Sequence, residues 1–235
     1  MKQYNSWEIL RDWEELPKQM RNEKVRKYYD ILQRKKIQLQ IKRVFDIFVS
    51  VFLLLLLSPI MVVLAILIRL DSKGPVFYRQ ERVTQYGRIF RIYKFRTMVQ
   101  NADKIGAAVT SAGDSRITKI GAFLRKCRLD ELPQLFNILK GDMTIVGTRP
   151  EVKKYVDSYT EEMLATLLLP AGVTSLASIK YKDEAELLNN TEDIDVTYIE
   201  KVLPGKMEYN LKAIKEFSFI GEIGLMFLTV IEVLR

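Results

Sequence analysis

The run Ile47-Phe48-Val49-Ser50-Val51-Phe52-Leu53-Leu54-Leu55-Leu56-Leu57-Ser58-Pro59-Ile60-Met61-Val62-Val63-Leu64-Ala65-Ile66-Leu67-Ile68 decides how this chain is read, because a Ser-Pro pair interrupts its greasiest stretch. By length it is a membrane helix, since roughly 20 apolar residues span a bilayer core. Pro59 removes a backbone donor and clashes with the preceding turn, so a sharp bend is expected near the middle. Each half then holds roughly a dozen residues, or about 18 Å of helix, short of the roughly 30 Å of a bilayer core. Ser58 is placed to hydrogen-bond a carbonyl freed by the proline, which is how such breaks are tolerated in lipid. Ser58 and Pro59 therefore read as the membrane bend.

The flanks carry the second argument. Arg34, Lys35, Lys36, Lys42 and Arg43 precede the run, and Arg69, Lys73, Arg79, Arg82, Arg88 and Arg91 follow it. Positive charge marks the cytoplasmic side of a membrane, and here both ends carry it. A helix that dips in and returns satisfies both flanks; a single crossing helix with a tolerated kink is the alternative. The division that follows is a basic helical extension over 1–43, a re-entrant membrane helix over 44–70 and a cytosolic catalytic domain over 71–235.

The formal net charge of the 235 residues is +8. Lys18 to Arg43 alone holds ten Lys/Arg against Glu23 and Asp30. Basic segments on both sides of a membrane insertion favour anionic lipid headgroups. Nucleic acid also attracts basic patches, but it leaves the apolar run unexplained and is not expected as a partner. Cys127 is the single cysteine, so no internal disulfide forms and a reducing compartment fits. The polar start carries no secretory signal pattern. With no histidine in the chain, Ser-His-Asp and Cys-His catalysis and His-ligated zinc are excluded. Chemistry then falls to carboxylates, Lys/Arg and an oxygen-coordinated metal.

The expected fold is α+β and α-rich, with a re-entrant membrane helix, amphipathic interfacial helices and a β-hairpin. Residues 1–43 read as helices broken at Pro17; Val25, Tyr28, Tyr29 and Leu32 form an apolar stripe suited to a membrane surface or a homodimer contact. Asp71-Ser72-Lys73-Gly74-Pro75 reads as a turn. Val76–Gln80 and Ile89–Phe95 are aromatic and β-branched strands flanking Thr84–Arg88, hence a hairpin. A polar loop runs through Arg116. Helices are expected from Thr118 to Arg125, from near Asp130 with a stop at Gly141, and over 151–168, 183–189, 192–202 and 206–216. Thr144–Gly147 suits a short strand. Ile223–Leu234 is apolar but too short to span, so it packs on the core or lies at the interface.

Chemistry concentrates in Arg125-Lys126-Cys127-Arg128-Leu129-Asp130-Glu131-Leu132-Pro133. Two adjacent carboxylates at a helix start are ordinarily caps that suit the dipole. Crowded with arginine, such carboxylates also hold Mg²⁺ while the cations bind phosphate oxygens. An ionised Asp can attack phosphorus and form an acyl phosphate. Cys127, between Lys126 and Arg128, has no histidine to act as its base. Asp114 and Asp142 are supporting carboxylates or solvated loop charges.

These residues stand within an ordered set of motifs. Lys42-Arg43-Val44-Phe45-Asp46 precedes Ser58-Pro59; Gly74-Pro75-Val76-Phe77 and Gln80-Glu81-Arg82 follow it. Tyr93-Lys94-Phe95-Arg96-Thr97-Met98, Leu129-Asp130-Glu131-Leu132-Pro133-Gln134-Leu135, Asn137-Ile138-Leu139-Lys140-Gly141-Asp142-Met143 and Val146-Gly147-Thr148-Arg149-Pro150 complete it. From about Lys42 onward the chain resembles the small monotopic phosphoglycosyl transferases, the bacterial sugar transferase family. The resemblance implies an enzyme on the cytoplasmic face of a bacterial plasma membrane that moves a sugar-1-phosphate from a UDP-sugar to undecaprenyl phosphate, releasing UMP. It implies Asp130 as nucleophile, Glu131 with Asp130 as Mg²⁺ ligands, and Arg125, Arg149 and Lys94 on substrate phosphate.

Two departures stand out. The family's Gly-Pro-Arg-Pro is Gly147-Thr148-Arg149-Pro150 here, with the arginine kept. Leu176 and Ser178 stand where the family commonly has Trp and Gln, which bears on donor binding. Two rivals remain at this point: direct attack by the lipid phosphate with Asp130 only a metal ligand, and a non-catalytic membrane scaffold.

Overall fold

Asn22 starts the first long helix. Its side chain accepts from Val25 N at 3.0 Å, capping α1, Glu23–Arg34. The computed structural model describes residues 9–102, 114–182, 184 and 193–234. Within it, Val25, Tyr28, Tyr29 and Leu32 are buried against Leu10, Leu16, Met20, Leu168, Ile214 and Phe217. Tyr28 donates to Glu162, and Lys35 Nζ donates to Phe217 O. The stripe expected to meet a membrane or a second copy is therefore consumed inside the chain, in one cluster with Ile214 and the segment before α1. Between Ile9 and Met20 only 3₁₀ turns form, Trp13–Glu15 and Lys18–Met20 on either side of Pro17.

The apolar run lies in α2, Lys36–Asp71, which continues through Pro59. Ser58 Oγ donates to Leu55 O at 2.9 Å. That carbonyl is the one an N–H at position 59 would have bonded, so the sequence expectation for Ser58 holds. Leu39, Lys42, Arg43, Asp46 and Ser50 are buried toward its start and Met61, Leu64 and Ile68 toward its end, with Leu53 and Leu54 half-buried between them, so both parts of α2 lie against the protein body. Lys42 Nζ donates to Val146 O at 3.0 Å and Arg43 Nη1 to Ile138 O at 2.6 Å. Thr144 donates to Asp46. At the far end, Asp71 Oδ2 accepts from Ile120 N at 3.1 Å, and Arg96 Nη2 donates to Ile68 O at 3.2 Å and Ser72 O at 2.6 Å. The opposite face, with Phe48, Phe52, Leu55, Val63, Ile66 and Leu70, is exposed. By length and composition α2 is long and apolar enough to cross a membrane.

The expected hairpin is present: β1, Phe77–Val83, pairs antiparallel with β2, Ile89–Phe95. Tyr86 and Gly87 turn the chain at φ 59° and 75°. Tyr78 opposes Lys94, Gln80 opposes Ile92 and Arg82 opposes Phe90, so these six share one face. Phe90 and Ile92 pack near Leu53 and Leu54 of α2. Thr118 caps α3, Lys119–Lys126, by accepting from Gly121 N at 3.0 Å. Arg128, at φ 55°, turns the chain into a 3₁₀ turn, Leu129–Glu131. Helix α4 begins later than expected, Gln134–Lys140, and Gly141 ends it at φ 81°.

Strand β3, Met143–Val146, is the short strand expected, and it pairs in parallel with β4, Ala171–Thr174, which the sequence reading missed. A Cβ on Gly172 would lie 2.2 Å from the Gly147 backbone, so only glycine lets these segments meet. The single helix expected over 151–168 is a short α5, Lys153–Val156, and a 3₁₀ segment, Met163–Leu168. Asp157-Ser158-Tyr159-Thr160 separates them, with side chains that compete for backbone groups. Helix α6 spans Leu176–Lys180, and α7, Ile194–Thr197, passes through a π turn, Tyr198–Val202, into α8, Leu203–Lys215. The chain's last helix, α9, is Phe219–Leu234. The helix expected over 183–189 lies, Glu184 apart, outside the described residues.

Candidate active site

The turn after Arg128 is held from below. Leu129 and Leu132 pack with Phe95 and Leu124, so Asp130 and Glu131 are presented to a cleft of about 1980 Å³. Arg125, Lys94 and Arg149 line the same cleft. The five residues singled out for chemistry thus converge; Ser58 and Pro59 do not line it.

The two carboxylates differ. Arg149 grips Glu131 with both terminal nitrogens, Nη1 on Oε2 at 3.2 Å and Nη2 on Oε1. Lys94 Nζ lies 3.5 Å from Glu131 Oε1. Asp130 is 7% exposed and, among the described residues, accepts no hydrogen bond on its carboxylate. Burial would raise Glu131, yet Arg149 and Lys94 outweigh it and hold Glu131 well below the usual carboxylate range. For Asp130, burial and the neighbouring Glu131 charge win over Lys94, Arg125 and Arg149, and its affinity for a proton is raised. Burial lowers Lys94, partly offset by Glu131.

Arg149 also donates from Nη1 to Val173 O at 3.3 Å. Arg125 Nε donates to Thr97 Oγ1 at 2.9 Å, and its terminal nitrogens make no hydrogen bond to described residues. Burial lowers Arg125, partly offset by Asp130. Such a group of cations around carboxylates suits an incoming phosphate.

Among the described residues no three acidic, His or Cys side chains gather as a metal cage. Glu131 is committed to two cations. An ion here would be held by Asp130 and would need oxygens from outside the chain to complete its shell, as Mg²⁺ usually takes from phosphates and water. Asp114 and Asp142 are engaged elsewhere, by Arg116 and Arg88.

Further charged groups of the cleft wall escaped the sequence reading. Arg82 donates to Gln80 Oε1 at 2.7 Å and to Pro150 O at 3.3 Å, bracing the segment that carries Arg149. Lys206, 4% exposed, donates to Tyr198 OH at 2.8 Å and to Glu184 at 2.9 Å. Arg82 carried a signal, its Gln80-Glu81-Arg82 motif; Lys206 carried none. Of the departed positions, Ser178 lines the cleft, and its N–H donates to the Ser175 cap at 3.0 Å.

Residues 37–235 match the model of a family described as bacterial sugar transferase. The chain is 39% identical over 193 residues to the UDP-N-acetylgalactosamine-undecaprenyl-phosphate N-acetylgalactosaminephosphotransferase of Aeromonas hydrophila, covering 81% of this chain and 43% of that one. It is 36% identical over 200 residues to the UDP-glucose:undecaprenyl-phosphate glucose-1-phosphate transferase of Klebsiella pneumoniae, covering 83% and 40%. It is 34% identical over 194 residues to the uncharacterized sugar transferase EpsL of Bacillus subtilis (strain 168), covering 83% and 87%. The chain thus spans about two fifths of the length of the Aeromonas and Klebsiella proteins.

Proposed function

The chain belongs to the bacterial sugar transferase family, and from that premise we propose that it transfers a sugar-1-phosphate from a UDP-sugar to undecaprenyl phosphate, releasing UMP, as the first membrane step of glycan biosynthesis. The observation that carries this reading is the split dyad: Glu131 neutralised by Arg149 and Lys94, beside an Asp130 carboxylate with no hydrogen bond from described residues. A carboxylate left unpaired among cations is available to an electrophilic phosphorus whose oxygens those cations attract.

In the first step an Asp130 oxygen attacks the phosphorus bearing the sugar. The bond to the bridging oxygen breaks, and UMP leaves with that electron pair. In the second, a phosphate oxygen of the lipid attacks the same phosphorus and the acyl-phosphate bond breaks, returning the Asp130 carboxylate. Arg149, Lys94 and Arg125 hold phosphate oxygens through both steps, and Glu131 keeps Arg149 and Lys94 aimed into the cleft. Asp130, with Glu131 beside it, would hold a Mg²⁺ ion, which would supply further charge neutralisation.

The membrane arrangement follows from α2. Both its ends and its middle pack on one protein body, which supports a helix that enters and leaves the cytoplasmic face over one that crosses. The exposed face of α2 and the exposed Ile220, Phe227 and Ile231 of α9 supply the surface for plasma-membrane lipid. One observation favours a second reading, a non-catalytic scaffold: Leu176 and Ser178 stand where the family commonly has Trp and Gln, and Ser178 lines the cleft. UMP release from a panel of UDP-sugars, with Mg²⁺ and undecaprenyl phosphate in detergent, separates the two. Lipid-dependent release with one donor supports the transferase; no release with any donor, from folded protein, supports the scaffold.

A further inference from the structure

Helix α9 departs from α2 at a pinned vertex. Phe45 and Phe219 meet edge-on with 5.4 Å between ring centres, and Lys42 Nζ lies 2.6 Å from Glu222. From there α2 runs past β2 toward α3, where Met61, Leu64 and Ile68 pack with Phe95 and Leu124. Helix α9 goes the other way, with Thr229 bonded to Thr174 at 2.9 Å and Lys182 Nζ 3.4 Å from Glu232. The helices diverge, and the cleft between them has an apolar floor. Val49 and Leu53 of α2, Met226 of α9, and Ile145 and Val173 of the parallel strands line it. All five are half-buried, neither sealed in a core nor part of the outer face, where Phe48 and Phe227 stand.

The floor changes character within one residue. The side chain of Val173 belongs to it, while the Val173 carbonyl accepts from Arg149. One end of the groove therefore meets the cations around Asp130, and the other approaches the exposed apolar faces of α2 and α9. That polarity complements an amphiphile with a phosphate head and an apolar tail.

Resting on the lipid-phosphate acceptor of the preceding section, we propose that this groove seats the proximal isoprene units of a polyprenyl phosphate, entering between α2 and α9 with its phosphate toward Arg149. Val49 and Met226 then act on acceptor binding and not on the donor. The test is steady-state kinetics of the full chain in mixed micelles with undecaprenyl phosphate, geranyl phosphate and a UDP-sugar. Val49→Lys and Met226→Lys are expected to raise the undecaprenyl phosphate KM by about tenfold or more, since each places a charge in the apolar groove. The donor KM stays at the wild-type value, and the preference for the long acceptor over geranyl phosphate shrinks. Phe48→Lys and Phe227→Lys, on the outer face, leave that preference intact.

Wild-type acceptor KM values in V49K and M226K would overturn the groove. So would an equal loss of chain-length preference in F48K and F227K, which would reduce the effect to general lipid contact. Competition by diacyl phosphatidic acid as strong as that by polyprenyl phosphate would assign the groove to ordinary phospholipid. Failure of the wild type to release UMP from any donor would overturn the underlying reading, and the groove with it.

Discussion

Arg149 holds Glu131 in a two-point grip, one guanidinium nitrogen on each carboxylate oxygen, while the adjacent Asp130 accepts no hydrogen bond from the described residues. Two neighbouring carboxylates thereby stand in different surroundings, and the proposed mechanism gives Glu131 the positioning of cations and Asp130 the reaction. Because Lys presents a single point charge where Arg presents a fork, Arg149→Lys and Glu131→Gln should each lower turnover by about a hundredfold. Both break one contact, so the double variant should be far less damaged than the product of the two losses. A double-mutant cycle in kcat/KM checks this, and full multiplicative losses would show that the two residues act independently.

On the proposed mechanism, divalent cation would enter this site with the substrate. No three-carboxylate cage is present among the described residues, so chelation should abolish turnover and leave the melting temperature of the substrate-free protein unchanged. Thermal unfolding with and without EDTA reads this directly. A marked fall in melting temperature on chelation would reveal a resident metal.

The segment before α2 is part of the core. Leu32 is fully buried between α1 and the residues around Leu168 and Ile214, so Leu32→Ala should cost about 2–5 kcal/mol of stability. Denaturant unfolding measures it. A loss near zero would mean that α1 is only loosely docked.

Ser58 replaces what Pro59 takes away. Ser58→Ala should leave the Leu55 carbonyl without a donor inside lipid and destabilise the lipid-embedded protein by about 1 kcal/mol or more. The same substitution should matter less in detergent-poor aqueous buffer, where water reaches that carbonyl. Equal effects in both media would place Ser58 outside the lipid.

Local signals were legible in the sequence, and distant pairings were not. Aromatic and β-branched runs around Gly87 announced the hairpin, and Thr118 and Gly141 announced a helix start and a helix stop. Strand β4 escaped because Ala171-Gly172-Val173-Thr174 is short and half small residues; its glycine serves the close approach to Gly147, a segment far away in the chain. The apolar stripe of α1 was visible, but not what would cover it. Asp130, Glu131, Arg125, Arg149 and Lys94, which line one cleft, could be singled out because they sit in ordered motifs. The different surroundings of Asp130 and Glu131 were not legible, because they depend on which carboxylate Arg149 reaches. Lys206 reads as a surface lysine until α8 turns it onto Tyr198 and Glu184.

The central claim is that Asp130 becomes bonded to the phosphosugar. The most direct measurement is mass spectrometry of the protein quenched after exposure to a UDP-sugar donor with Mg²⁺ and without undecaprenyl phosphate. We predict a mass increase equal to one sugar-phosphate group on the peptide containing Asp130, absent in Asp130→Asn and lost when the lipid is added. No adduct, together with UMP release only when the lipid is present, would contradict the covalent account and favour direct attack by the lipid phosphate.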